Sequence, residues 1–347
     1  SRLKVLLRVL KKPIYFIFSS LINVISSFCL TYYFLFEQGL GLEGVVLALF
    51  ITSIIQILTL LPIIYFYPES VFQYNFKLLK KMFRFGLPFL PAAVLLLIIE
   101  LSDRFFIYQL LGDGEVLKYS AGYKIGAIIL LAINAFNQNW QPYINEQSLQ
   151  NRGAAVKNFQ RIGTVFIVFL IFISTMLFLF WENIATVKFA MLGNSQLISQ
   201  SLISPAHDII PIVIVAFIIY GVFILQMPSI YLHNKQSWIL IFWLVGGGVN
   251  ILGNILFISP AFLDLGIKGA ALSTLFAYSS MSIFIIIKNY RWLRITYNYW
   301  LIGQTCLIGL LVILIKASEN INIYFLIFLS SCYALFVVNK ILKSYNK

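Results

Sequence analysis

Four charged residues stand inside two long apolar segments. Glu100, Asp103 and Arg104 lie in LPFLPAAVLLLIIELSDRFFIYQLLG (Leu87–Gly112), and Lys124 lies in AGYKIGAIILLAINAFNQNWQPYI (Ala121–Ile144). A charge at the centre of a bilayer costs at least ~3 kcal/mol on insertion scales, so such residues face one another, a ligand or a water-filled cavity. Three chemistries fit the types and spacing. Glu100 and Arg104 stand at i,i+4 in the favourable acid-first order, and Asp103 can reach Lys124 across the hairpin, so the cluster can neutralise itself. Arg104 and Lys124 can instead take an anionic group. Glu100 or Asp103 can couple a proton or a cation to movement.

Other polar groups are placed more loosely. Asn134, Asn137, Gln138 and Gln141 cluster with Trp140, a set whose amides and ring suit sugar hydroxyls and faces or plain capping at the interface. In GGGVNILGN (Gly246–Asn254), Gly246, Asn250 and Asn254 share a helix face with Gly253 nearby, spacing that lets helices approach closely or exposes two amides to a cargo. Tyr220 and Gln226 are similar candidates. No catalytic constellation appears. The longest outer loop, Glu182–Asp208, offers only Glu182, His207 and Asp208, too little for a membrane glycan polymerase. His207 and His233 are far apart in sequence, and Cys29, Cys306 and Cys332 each sit in apolar runs. No metal or cofactor is expected.

Helices must position these groups. The chain has 347 residues, 61% hydrophobic and 11% charged, against about 25% charged in soluble domains. Runs long enough to cross about 30 Å of hydrocarbon occur ten times: 13–36, 45–67, 87–111, 121–143, 164–181, 209–228, 238–258, 269–287, 299–315 and 321–338. They do not alternate apolar and polar residues, which excludes a barrel. The fold class is therefore all-α integral membrane. With Ser1–Lys12 inside and sides alternating, 19 of the 25 Lys and Arg fall on inner segments and 4 on outer loops. The positive-inside rule selects this orientation, with both termini cytoplasmic. The net charge of +13 is thus a topology and lipid-headgroup signal, not a nucleic-acid footprint. Phe76–Phe85 and Ala154–Ile162 read as amphipathic segments along the inner interface, and Pro88 and Pro91 open the third span.

An internal repeat sets the organisation. Leu40–Leu47 (LGLEGVVL) and Leu265–Leu272 (LGIKGAAL) match at four of eight positions at an offset of 225 residues. Both follow an outward span and precede a returning one, as in a parallel duplication. Residues 87–287 then form a six-helix lobe, 1–67 the last two helices of a preceding lobe, and 299–338 two added helices. Four helices of that first lobe are expected to precede Ser1.

The runs Arg84–Ile107 (RFGLPFLPAAVLLLIIELSDRFFI), Ser120–Gly126 (SAGYKIG), Asn137–Tyr143 (NQNWQPY) and Ile230–Tyr278 resemble the Wzx-type O-antigen, capsule and teichoic-acid flippases, polysaccharide exporters of the multidrug/oligosaccharidyl-lipid/polysaccharide superfamily. The resemblance implies two six-helix lobes around a central cavity in the bacterial cytoplasmic membrane. It also implies passage of an undecaprenyl-pyrophosphate-linked oligosaccharide from the inner to the outer leaflet by alternating access. Membrane lipids and glycan-assembly proteins would be the other partners. On that reading Glu100, Asp103, Arg104, Lys124, Asn134, Asn137, Gln138, Asn250 and Asn254 are the cavity candidates. A cation-coupled multidrug antiporter of the same superfamily is the alternative.

Overall fold

The computed structural model describes residues 13–65, 75–87, 89–147, 152–186, 188–189, 195–196, 200–233, 235–317 and 323–345. The basic segment Ser1–Lys12, Pro88 and Lys347 lie outside them. The helices are α1 (Pro13–Tyr32), α2 (Gly41–Tyr65), α3 (Phe76–Gly86), α4 (Phe89–Leu111), α5 (Asp113–Gly126), α6 (Ile128–Gln147), α7 (Arg152–Ala185), α8 (Gln200–Leu225), α9 (Pro228–Leu232), α10 (Ser237–Ile258), α11 (Gly266–Trp292), α12 (Tyr299–Ala317) and α13 (Ile323–Tyr345). A π-helical turn, Tyr33–Glu37, follows α1. Among the described residues the extended structure is one two-residue antiparallel ladder, β1 (Lys188–Phe189) against β2 (Ser195–Gln196).

Seven described helices are long and apolar enough to cross a membrane, eight if the bent pair α5–α6 is one span. The set differs from the ten apolar runs for physical reasons. Helix α4 has the length but concentrates Glu100, Asp103 and Arg104, and α13, at 23 residues, is also of membrane length. The expected span 121–143 is not one straight helix: α5 and α6 meet at 48° around Ala127. Nor is Ala154–Ile162 an interfacial segment. It forms the first turns of the 34-residue α7, with Ala155 and Phe159 fully buried. Phe76–Phe85 does form a separate helix, α3, with Phe76, Met82 and Phe83 exposed. Large apolar side chains such as Leu42, Leu131 and Leu252 are also exposed. Lipid, which needs no polar covering, accounts for these faces.

Contacts divide the chain into Ser1–Lys80 and Lys81–Lys347, a boundary that falls within α3. In the first unit α1 packs against α2. In the second, α4, α5, α8, α10 and α11 pack together, and α7 joins α8 to α12 and α13. Its core is aromatic and β-branched, including Tyr119, Phe217, Phe242, Tyr278 and Ile285. Glycine permits the closest approaches. On α5, Gly122 and Gly126 stand at i,i+4 and face α8: a Cβ on Gly126 would lie 2.6 Å from Val213, and one on Gly122 3.2 Å from Ala206. This is the small-xxx-small spacing of packed membrane helices. On α10, a Cβ at Gly246 would lie 2.3 Å from the Met281 sulfur, and one at Gly253 2.9 Å from Ser273 Oγ.

The two repeat motifs have the same local build, each within its own unit. Gly41 (φ 56°) and Gly266 (φ 54°) occupy the left-handed region at the first residue of α2 and α11. Just before them, Leu40 N donates to Phe34 O (3.1 Å) and Leu265 N to Phe257 O (2.8 Å). One turn later, Gly44 and Gly269 let the helix pass over those same residues. A Cβ would lie 3.0 Å from Phe34 O in one case and 2.5 Å from Phe257 O in the other.

Candidate functional site

The charged hairpin is α4 and α5, joined through Gly112 at φ 92°. Asp103 points into the bundle and is fully buried. Its Oδ2 accepts from Tyr119 Oη of α5 (2.6 Å) and Thr274 Oγ1 of α11 (2.6 Å). Its Oδ1 accepts from Asn254 Nδ2 (2.9 Å) and Asn250 Nδ2 (3.2 Å), both of α10. Ser102 Oγ adds a bond to Asn250 Oδ1 (2.5 Å). One carboxylate thus ties four helices together, and each of its oxygens has two donors. Hydrogen bonds of this kind are worth about 1.5–3 kcal/mol each when one partner is charged, which offsets desolvation.

The expected Asp103–Lys124 pair does not form. Gly122 and Gly126 turn one face of α5 onto α8, and Lys124, midway between them in sequence, is carried to the opposite face and exposed. Neutral hydroxyls and amides satisfy Asp103 instead. Arg104, one residue on, points differently. Its Nη1 donates to the Glu100 backbone carbonyl (2.7 Å), and its guanidinium lies over the Tyr123 ring at 4.7 Å and near Tyr119 at 6.0 Å. The i,i+4 relation of Glu100 and Arg104 is therefore realised through the Glu100 backbone. Both side chains are half-buried.

The remaining candidates divide. Asn250 and Asn254 join the Asp103 cluster. Asn134 and Gln138 are exposed on α6, and Asn137 is half-buried with its Oδ1 unpartnered. Trp140 is not presented to a ligand: it is buried among Phe136, Tyr143 and Phe159, at centroid distances of 5.1, 5.9 and 5.5 Å. Tyr220 is likewise buried, against Tyr278 at 4.9 Å. The expected loop Glu182–Asp208 is shorter than the sequence suggests, because Glu182 lies on α7 and His207 and Asp208 lie on α8. Asp208 pairs with Lys268 (3.1 Å) and His207 tilts against Trp181 at 5.8 Å. Among the described residues no cluster of three His, Cys, Asp or Glu is present.

Three participants escaped the sequence reading: Ser102, Tyr119 and Thr274. Thr274 follows Ser273 in an apolar helix and so stands out as polar, but nothing in the sequence orders α11 against α4. A second polar group surrounds the break between α8 and α9; of its members the sequence singled out Gln226, and Ser229 and Asn289 were missed. Asn289 Nδ2 donates to Gln226 O (3.0 Å) and Gln226 Oε1 (2.9 Å), and Ser229 Oγ donates to Asn289 Oδ1.

The membrane-length apolar helices define a multi-pass membrane protein. Residues 5–148 match the family described as polysaccharide biosynthesis protein. The solved structure of lipid II flippase MurJ in an inward closed conformation shares the fold with a TM-score of 0.56 at 14% identity, over 94% of this chain and 67% of that one. A search of curated proteins finds no match. The family model spans 144 of the 347 residues, and the likeness to the flippase is one of fold. Three of the four resembling runs lie within the matched residues, and Ile230–Tyr278 lies beyond them.

Proposed function

We propose that this chain moves a lipid-linked oligosaccharide, an undecaprenyl-pyrophosphate-linked glycan, from the inner to the outer leaflet of a bacterial cytoplasmic membrane. The observation that carries the reading is Arg104. It is a half-buried guanidinium within a membrane-length helix, steadied by a backbone carbonyl and an aromatic face. Guanidinium presents a planar fork of donors that matches phosphate oxygens, and it keeps its charge in a low-dielectric setting. Exposed Lys124 and the amides of Asn134, Asn137 and Gln138 supply further polar surface for the pyrophosphate and sugars. Alternating access between two helical lobes would carry the cargo, with the lipid tail left in hydrocarbon. The glycan is not altered covalently on this reading, and both termini of the chain are cytoplasmic.

The test is genetic. Arg104→Ala should lower surface glycan about tenfold at unchanged protein level, the loss of one charged hydrogen-bonding contact. Lys124→Ala should lower it less. Normal surface glycan in both variants would reject the reading.

A second reading, cation coupling, rests on the Asp103 cluster. Asp103, Asn250, Asn254, Ser102 and Thr274 form an all-oxygen set once the amides turn, and Asn254 Oδ1 is buried without a partner. Such sets suit hard cations. It would apply to the flippase and to the rival multidrug antiporter alike. Transport that is indifferent to Na⁺ and to the proton gradient would dispose of it.

A further inference from the structure

We infer that the second unit holds an anionic phospholipid in a pocket between α7, α8, α11 and α12, separate from the charged hairpin. The cavity has a volume of about 410 Å³, within the range of ligand pockets. Its apolar part includes Ile167 and Ile302, and its polar wall is Gln226, Asn289 and Tyr297. Those three side chains are 5%, 3% and 8% exposed. At the mouth Arg294 is exposed, its guanidinium 4.7 Å above the Tyr290 ring.

The wall is built rather than incidental. Gly163 of α7 makes room for the Tyr297 ring, which a Cβ there would meet at 2.4 Å. The Tyr297 hydroxyl is only loosely engaged: it donates to Leu225 O at 3.3 Å and receives Gln226 Nε2 at 3.4 Å. Burial holds the phenol above its ordinary pKa, so it keeps its proton.

Charge and position select the occupant. Lys157, Arg161, Lys288, Arg291 and Arg294 lie at this end of α7 and α11, and exposed Tyr290, Tyr299 and Trp300 stand beside them as an interfacial belt would. An amphiphile seated here would place acyl carbon on Ile167 and Ile302 and its phosphate at Arg294 and Tyr297. That chemistry is met by a phospholipid of the basic-side leaflet with net negative charge.

The experiment uses the full chain in nanodiscs of equal phosphatidylglycerol and phosphatidylcholine, transferred to detergent and weighed by native mass spectrometry. Phosphatidylglycerol should be retained preferentially. Arg294→Gln should reduce its retention about fivefold, the effect of about one interfacial charge. Ile302→Trp, which fills the cavity, should reduce it similarly. Lys235→Gln, an exposed change outside the pocket lining, should not. Equal retention of both lipids, retention unchanged in either pocket variant, or an equal fall in Lys235→Gln would overturn the proposal. So would displacement of phosphatidylglycerol by an isoprenyl pyrophosphate, which would make the pocket part of the cargo path. Because the readout is bound phospholipid rather than surface glycan, its failure leaves the flippase reading standing.

Discussion

At Asp103 the carboxylate takes four hydrogen bonds from three other helices. Its removal takes the acceptor from Tyr119, Thr274 and Asn250 and leaves Asn254 Nδ2 only its longer bonds to Ser102 Oγ and Asn250 Oδ1. Asp103→Ala should therefore destabilise the protein by about 3–5 kcal/mol, as expected when one side of a buried charged network is deleted. Thermal melting in detergent measures this, and a melting temperature equal to wild type would contradict the network's role. Tyr123 makes a separate prediction, because its ring lies under the Arg104 guanidinium. Tyr123→Phe keeps the π face and should leave transport near wild type. Tyr123→Leu removes it and should cost about 1–2 kcal/mol of cation–π stabilisation, read as a several-fold fall in surface glycan at equal expression. Equal activity of the two variants would show that the ring does not position Arg104.

Among the elements, glycine decides where helices touch, and its effect can be separated from helix propensity. A Cβ at Gly269 would meet backbone at 2.5 Å, whereas one at Gly248 meets nothing within 4 Å. Gly269→Ala should lower stability by about 1–3 kcal/mol through overpacking. Gly248→Ala in the middle of α10 should be neutral or stabilising by up to about 1 kcal/mol. The two melting temperatures check both, and equal shifts would contradict the packing account. This is also the scale at which sequence and structure part company. The LGLEGVVL and LGIKGAAL motifs were legible because a left-handed turn and a close crossing both demand glycine at fixed spacing. The charged hairpin was legible because charge is costly in an apolar run. The partner of Asp103 was not. Complementary charge suggested Lys124, but the face of α5 that meets α8 is chosen by Gly122 and Gly126, and that choice sends Lys124 outward. The bend at Ala127 was hidden for a related reason: hydropathy registers a span's length and is blind to its axis. Tyr119, Ser102 and Thr274 are ordinary residues in sequence, and only the packing of α4, α5, α10 and α11 makes them a site.

At the scale of the molecule, the second unit exposes apolar side chains and buries the polar cluster of Asp103 within its apolar core, and the fold is shared with a lipid II flippase over nearly the full chain. The proposed cargo, a sugar on a lipid carrier, suits this division, because the sugar needs shelter from hydrocarbon while the tail does not. The account rests on Arg104 engaging that cargo. The most direct measurement reconstitutes the protein in liposomes carrying an undecaprenyl-pyrophosphate-linked oligosaccharide and follows its accessibility to an external lectin. Wild type should move the glycan between leaflets and Arg104→Ala should do so about tenfold more slowly. A glycan that stays on its original side with wild type, or moves equally fast with Arg104→Ala, would contradict the account.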